Sequence, residues 1–350
     1  MTAKSPRVKT SGNEAEAGAI PSSLWSAFFE GSRRACARLI TRVENEPGLV
    51  PVVRDALASR IGRAIRIGIT GPPGVGKSTL TAALAQGLAN GGRRVGVIAV
   101  DPSSPFTGGA FMGDRIRMDG LVGDKRIYIR SLASREGHGG LAPTTPYVAD
   151  VIEGFGMDRI LIETVGVGQA EIDVLRCADL VILVLQPGTG DAIQTMKAGI
   201  IEAADIIVVN KADQPGVDSV IQSLRFLFSL GGPLPIKGNP HAPQNTRVAP
   251  PILSTSALQA QGIEELVAEV EKQATSLIES GRHREMRRAR LETEIRSAIQ
   301  EYLWQSYEKL TAADETIRQK AGELVLSGES PYPFIRDLQG KATISLPPGR

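Results

Sequence analysis

The strongest constraint on the fold is a set of short apolar segments that recur along the middle of the chain. They lie at residues 65–70, 95–100, 126–131, 159–163, 180–185, 206–209 and 251–254. Most are apolar almost throughout, which is typical of parallel strands covered on both faces. Helical patterns occupy residues 78–90, 144–153, 192–202, 217–229 and 262–277. This alternation predicts an α/β fold with a doubly wound, mostly parallel sheet.

Helical regions are predicted on both sides of this sheet. We expect a disordered tail at residues 1–20, a helical segment at 21–63, the main domain at 64–280 and a helical C-terminal arm at 281–350. In the arm, apolar residues repeat every four positions at Leu291, Ile295, Ile299 and Leu303. Such a stripe needs a partner surface. A second copy of the chain and the chain's own main domain are equally open at this point.

Composition excludes several classes of protein. The 350 residues carry 40 Lys and Arg against 38 Asp and Glu, a net charge of +2, which argues against a general nucleic-acid binder. The basic run at 282–290 could bind RNA, but a solvated helix face is favoured. The two cysteines, Cys36 and Cys177, exclude a disulfide scaffold and a cysteine zinc site. With neither a membrane-length apolar run nor a signal-peptide pattern, we expect a cytoplasmic protein without membrane contacts.

A phosphate-binding loop is predicted where the first apolar segment ends. Residues 71–78 match G-x-x-x-x-G-K-[ST], and the required strand and helix patterns flank them. Backbone N–H groups of such a loop point at phosphate oxygens, with support from the helix N-terminus. Lys77 would reach the β and γ phosphates, and the Ser78 hydroxyl would bind Mg²⁺. The predicted nucleotide-binding residues here are Gly71, Pro72, Pro73, Gly74, Val75, Gly76, Lys77, Ser78 and Thr79.

A second motif predicts which base is bound. Asn210, Lys211 and Asp213 directly follow the apolar segment 206–209, at a strand end where α/β proteins bind ligands. A carboxylate at Asp213 can accept hydrogen bonds from N1–H and the exocyclic amine of guanine, whereas it would repel N1 of adenine. Past the next strand, Ser256, Ala257 and Leu258 stand where a backbone amide could meet the guanine carbonyl.

Candidate groups for the metal and the attacking water end two other strands. Glu163 would bind Mg²⁺, and Gly166 after it would sense the γ-phosphate. Asp101 could hold Mg²⁺ or orient water beside the phosphate loop, with capping of the next turn as the alternative. Asp114 is a weaker catalytic candidate, since a surface pair with Arg115 explains it equally well.

The chain resembles the MeaB/ArgK family of P-loop G proteins. Matching segments are GPPGVGKST at 71–79, DPSS at 101–104, GDRIRM at 113–118, ETVGVGQAE at 163–171, NKAD at 210–213 and STSAL at 254–258. The resemblance implies GTP or GDP with Mg²⁺, slow intrinsic hydrolysis and a homodimer built by C-terminal helices. It also implies partnership with an adenosylcobalamin-dependent acyl-CoA mutase, in which the G protein gates cofactor loading and protects or rescues the mutase.

Two features of the resemblance concern hydrolysis. The family places a mobile segment at 186–197, which would put Gln194 and Lys197 in partner coupling. Relative to Ras-like proteins, Glu163 replaces an aspartate, and Val167 replaces the glutamine that positions water.

Two other functions are open. One is a kinase acting on periplasmic substrate-binding proteins, a role attached to ArgK relatives. The other is a metal-insertion GTPase for nickel enzymes. That class usually carries His-rich tracts or Cys pairs, whereas this chain has only the scattered His138, His241 and His283.

Overall fold

A computed structural model describes residues 20–102, 119–121, 123–134, 142, 144–164, 170–188, 198–229, 249–311, 313–327 and 330–334. The predicted tail at 1–20 therefore lies almost wholly outside the described residues.

Seven parallel strands form one sheet, which confirms the predicted fold class. The strands are β1 (Ile65–Thr70), β2 (Val95–Pro102), β3 (Ile127–Ser134), β4 (Arg159–Glu163), β5 (Leu180–Leu185), β6 (Ile206–Val209) and β7 (Ile252–Ser254). Their order is β3-β2-β4-β1-β5-β6-β7. In register, Ile69 of β1 is paired with Glu163 of β4 and with Ile182 of β5. Every residue of β1, β4, β5 and β6 is buried, which explains their continuous apolar character.

Eleven α-helices are described around the sheet and at its two ends. They are α1 (Ser22–Phe29), α2 (Arg33–Asn45), α3 (Val50–Leu57), α4 (Lys77–Asn90), α5 (Thr145–Gly154), α6 (Ala170–Cys177), α7 (Ala198–Ala203), α8 (Val217–Ser229), α9 (Ile263–Glu279), α10 (Arg282–Thr311) and α11 (Ala313–Ser327). Short 3₁₀ turns lie at Pro47–Leu49 and Asp119–Leu121. The patterns at 78–90, 144–153, 217–229 and 262–277 predicted α4, α5, α8 and α9, whereas α6 was not predicted.

The N-terminal helices pack against α5 on one face of the sheet. Phe28 of α1 lies 5.5 Å from Phe155 between ring centroids. A Cβ added at Gly154 would lie 2.8 Å from Leu57 of α3, so glycine permits the close approach of these two helices. The Glu153 carboxylate accepts hydrogen bonds from the backbone N–H groups of residues 62–64, directly before β1. Helices α1–α3 thus share a core with the sheet.

The chain divides into two compact units, one ending at Met286 and the next beginning at Arg287. Most of α10 belongs to the second unit. Along it, Leu291, Ile295 and Ile299 are 47%, 50% and 51% exposed, so the apolar stripe of the arm is half uncovered. Within the described part of the chain, no helix is both long and apolar enough to cross a membrane.

Acidic side chains lie before β5 and β6, at the edge of the sheet where strands begin. Asp179 accepts a hydrogen bond from the Arg66 N–H at 2.8 Å, and His283 Nε2 lies 3.7 Å from Asp179 Oδ2. Asp205 accepts from the Val181 N–H at 2.8 Å. The contact between His283 and Asp179 joins the first turn of α10 to this edge of the sheet.

Candidate nucleotide-binding site

The opposite edge of the sheet collects the predicted site residues. There β1 leads into the glycine-rich loop, β4 ends in Glu163, β6 leads into Asn210 and β7 into Thr255. The carboxyl ends of parallel strands form the ligand-binding edge of an α/β sheet. Strand order therefore brings together residues that are far apart in sequence.

Two glycines shape the phosphate loop by close approach. Gly71 has φ +144°, and a Cβ there would lie 2.2 Å from the Val184 carbonyl oxygen of β5. Gly76 has φ +91°, and its Cβ would lie 2.5 Å from the Asn210 side-chain nitrogen. Both positions combine a backbone conformation that favours glycine with a space that excludes a side chain. The loop is thereby packed against β5 at its start. At its end it is packed against Asn210 of the motif at residues 210–213, called the base motif below.

Lys77 lies at the centre of this loop. Its side chain is buried, and Nζ donates hydrogen bonds to the carbonyl oxygens of Gly71 at 2.8 Å and Pro72 at 2.9 Å. The ammonium group is thus held inside the curve of the loop. An anion bound there would meet a desolvated positive charge together with the N-terminus of α4.

Ser78 and Glu163, two of the predicted Mg²⁺ ligands, are in direct contact. The Ser78 hydroxyl donates a hydrogen bond to Glu163 Oε1 at 2.5 Å, and both residues are buried. Hydroxyl and carboxylate oxygens are hard ligands that suit Mg²⁺ when phosphate and water oxygens complete the shell. No cluster of three or more His, Cys, Asp or Glu side chains that could hold a metal occurs among the described residues.

Asn210 connects the base motif to the phosphate loop. Its side-chain nitrogen donates to the Val75 carbonyl at 2.9 Å. Its side-chain oxygen accepts from the Thr255 hydroxyl and from the Ala257 N–H, each at 3.1 Å. Asn210 is 2% exposed, so its side chain is a buried link between the phosphate loop and the segment that follows β7.

Lys211 and Asp213 present the polar groups of the base motif. Lys211, at φ +59°, donates from Nζ to the Gly74 carbonyl at 2.8 Å. The Ser256 hydroxyl donates to Asp213 Oδ1 at 2.6 Å, and this hydrogen bond lowers the pKa of the Asp213 carboxyl. Asp213 is exposed, so its carboxylate is ionised and accessible to a base. Beyond it, Leu258 is 88% exposed on the neighbouring loop.

The remaining predicted residues are less fully placed. Asp101 lies near the end of β2, but β4 separates β2 from β1, so this strand end is not directly beside the phosphate loop as expected. Four predicted residues lie outside the described residues, namely Asp114, Gly166, Gln194 and Lys197. Their roles remain predictions.

Thr255 is a site residue that motif reading missed. It is fully buried, and besides contacting Asn210 it accepts a backbone hydrogen bond from Ala212 at 2.9 Å. Its place in STSAL, between β7 and Ser256, was the available signal. Its partner lies 45 residues earlier, and no local pattern identifies such a contact.

Comparison with known proteins agrees with this geometry. The model of the family "Methylmalonyl Co-A mutase-associated GTPase MeaB" matches residues 36–312. A relative from Pyrococcus abyssi is 44% identical over 270 residues, covering 77% of this chain and 81% of that protein. GTPase ArgK of Escherichia coli is 36% identical over 262 residues, covering 74% and 77%.

A solved structure shows the same architecture. The crystal structure of an LAO/AO transport system kinase has a TM-score of 0.67 and 27% identity, covering 91% of this chain and 96% of that one. The name of that protein describes a different activity from that of the family. The family match extends over most of the sequence and includes the phosphate loop, Glu163 and the base motif. The chain therefore belongs to the MeaB family of methylmalonyl-CoA mutase-associated GTPases.

Proposed function

We propose that this GTPase is a chaperone of an adenosylcobalamin-dependent acyl-CoA mutase, most specifically methylmalonyl-CoA mutase. In this role it gates cofactor loading and protects or reactivates the mutase. The description of its family supports the mutase assignment. The observation that carries the nucleotide assignment is the pair of buried hydrogen bonds that the Asn210 side chain makes with Val75 and Ala257. They join the base motif to the phosphate loop.

The geometry supports separate roles for the phosphate loop and the base motif in GTP binding. Lys77 and the N–H groups of the loop would neutralise the β and γ phosphates, since the Lys77 ammonium is already held within the loop. Asp213, oriented by Ser256, would accept the two donors of guanine. Ala257 N–H is engaged by Asn210, so its contact with the guanine carbonyl would require a shared hydrogen bond.

Ser78 and Glu163 would hold Mg²⁺, with Asp101 as a further candidate. When bound, Mg²⁺ supplies positive charge that stabilises the charge developing on the phosphate oxygens. The chain's own contribution is to keep the Ser78 hydroxyl and the Glu163 carboxylate in contact in a buried site. Val167 stands where Ras-like proteins place glutamine, so we infer a slow basal rate.

The arm is proposed to form a homodimer. The half-exposed side chains of Leu291, Ile295 and Ile299 supply an apolar surface on α10. Two such stripes from two copies would cover each other, as in antiparallel or parallel helix pairs.

A kinase of periplasmic substrate-binding proteins is the second candidate. The likeness to the LAO/AO transport system kinase, with its TM-score of 0.67, favours it. It differs in the fate of the γ-phosphate, which a kinase transfers to a protein side chain and a GTPase transfers to water. Incubation with γ-labelled GTP and a candidate binding protein separates the two, because only a kinase labels the protein.

The test of the chaperone function is nucleotide-dependent binding. The affinity of the mutase from the same organism is measured by calorimetry against the GDP form and against a form with a non-hydrolysable GTP analogue. A tenfold difference corresponds to a coupling of about 1.4 kcal/mol, and the affinity for GTP relative to GDP must then change by the same factor when the mutase is bound. If the mutase binds neither form, the chaperone function is wrong.

A further inference from the structure

Two buried threonines connect the strand that carries Glu163 to the strand that carries the phosphate loop. Thr70 is the last residue of β1, directly before Gly71, and Thr164 follows the end of β4. Their hydroxyl oxygens lie 3.3 Å apart, and the two residues are 0% and 1% exposed. Water therefore does not compete for this contact.

Thr164 is also attached to β1 through its backbone. Its N–H donates to the Ile69 carbonyl at 3.1 Å, and its hydroxyl lies 3.4 Å from the same oxygen. The backbone bond extends the ladder one step beyond the paired residues Ile69 and Glu163. Within the described residues of this segment, which end at Thr164, the hydroxyl contact adds to the backbone bond that holds β4 to β1.

The position of this contact matters because of its two neighbours. On one side, Glu163 receives the Ser78 hydroxyl at 2.5 Å. On the other, Gly71 is fixed against Val184 of β5, since even a Cβ there would lie 2.2 Å from a carbonyl oxygen. The loop therefore has a firm support on the β5 side, and Thr164 supplies the corresponding support on the β4 side.

We propose that Thr164 is a positioning residue for GTP hydrolysis: its hydroxyl, placed against Thr70, fixes the end of β4 so that the Glu163 carboxylate stays on Ser78. This inference rests on the proposed nucleotide site. Thr164 acts through Glu163 and touches no reacting atom. Thr164 links the end of β4, which precedes the predicted phosphate sensor Gly166, to the end of β1, which leads into the phosphate loop.

The test uses three variants of the full chain. Thr164→Val replaces the hydroxyl with a methyl group of similar size, and Thr164→Ser keeps the hydroxyl. Thr145→Val is the matched control, because Thr145 is fully buried at the start of α5 and its hydroxyl has no hydrogen-bond partner within the described residues. Equal melting temperatures of Thr164→Val and Thr145→Val, within about 3 °C, show that any difference is local.

The first readout is hydrogen exchange without added nucleotide, in peptides that cover residues 160–164 and 69–78. Thr164→Val should exchange faster than the wild type in both peptides, whereas Thr164→Ser and Thr145→Val should match it. The exchange measurement does not depend on hydrolysis, so it tests the contact between Thr164 and Thr70 even if the proposed activity is wrong. Unchanged exchange in Thr164→Val would overturn the proposal.

The second readout is the separation of rate from affinity. We expect Thr164→Val to lower kcat for GTP about tenfold while GDP affinity stays within about twofold, since the loop keeps its support on β5. Thr164→Ser should recover the wild-type rate. An equal loss in the serine and valine variants, or a loss of GDP affinity as large as the loss of kcat, would contradict a positioning role. A wild type that does not hydrolyse GTP would instead refute the proposed activity.

Discussion

The side-chain amide of Asn210 donates a hydrogen bond to the backbone carbonyl of Val75, 135 residues earlier in the chain, at 2.9 Å. This bond makes the base site and the phosphate site one structure, because the same side chain also accepts from Ala257 N–H. Both Asn210 and Val75 are buried, so breaking the bond would leave polar groups without solvent. Substitutions in the base site are therefore expected to affect phosphate binding, and substitutions in the phosphate loop are expected to affect base binding.

Guanine selectivity should depend on Asp213. In Asp213→Asn the side chain can still accept the Ser256 hydroxyl, but it loses the charge and one acceptor for guanine. GTP binding should weaken by about 2–3 kcal/mol, and xanthosine triphosphate, which has a carbonyl in place of the amine, should bind better. Calorimetric titration with GTP, ATP and xanthosine triphosphate measures this. Asp218→Asn, an exposed carboxylate at the start of α8, is the control. Equal ATP and GTP affinities in the wild type would refute the base assignment.

Roles within the phosphate site should separate by substitution. Lys77→Ala removes the ammonium held inside the curve of the loop and should lower nucleotide affinity by at least about 2 kcal/mol. Asp101→Ala should reduce hydrolysis more than GDP affinity, because its predicted partners are metal and water. Asp55→Ala, at an exposed position on α3, serves as the control. A wild-type rate in Asp101→Ala would return Asp101 to a capping role at the end of β2.

How far the sequence predicted the fold depends on the range of the contacts. Local patterns predicted the strands, since runs such as 180–185 are apolar at every position. The eight-residue α6 was missed, because an amphipathic pattern so short is indistinct. Strand order was not predictable from local pattern. The position of β4 beside β1 is what brings Glu163 to Ser78.

The same distinction holds within the site. The phosphate-loop and base motifs require particular residue types at fixed spacing. For that reason the sequence alone predicted Lys77, Ser78, Asn210 and Asp213 as site residues. Thr255 and Thr164 act through partners 45 and 94 residues away, and only the folded sheet brings those partners into contact. Such supporting contacts depend on geometry that a linear pattern does not encode.

Dimerisation through the arm should be sensitive to charge on its stripe. The side chains of Leu291 and Ile299 are about half exposed, so covering each would gain roughly half of the 1.5–3 kcal/mol of full burial. Leu291→Glu with Ile299→Glu should give a folded monomer that still binds GDP. Thr293→Glu with Arg296→Glu, two exposed changes on the same helix, should remain dimeric. Analytical ultracentrifugation decides, and a monomeric wild type would exclude the dimer.

Asp205 should make stability depend on pH. Burial, together with the charge of Asp179, raises the pKa of Asp205 to about 7, against the opposing effects of the Val181 N–H and Arg282. Because the folded state binds this proton more tightly than the unfolded state, the stabilisation is present at low pH and lost as pH rises through about 7.

Asp205→Asn removes this dependence while an amide oxygen can still accept from Val181 N–H. The variant should unfold a few degrees above the wild type at pH 8.5, and the difference should shrink at pH 5.5. Asp205→Ala, which also loses the hydrogen bond, should gain less at pH 8.5. Thermal unfolding at the two pH values measures this, and an equal difference at both would contradict the assigned cause.

The most direct measurement of the central claim is steady-state GTP hydrolysis by the full chain, with and without the acyl-CoA mutase of the same organism. With the mutase absent, turnover should be slow, because Val167 stands at the position where Ras-like proteins place the glutamine that orients water. With the mutase in saturating amount, the rate should rise severalfold, and the rise should be lost in Lys77→Ala. A rate that the mutase leaves unchanged, together with equal mutase affinity for the GDP and GTP-analogue forms, would contradict the account.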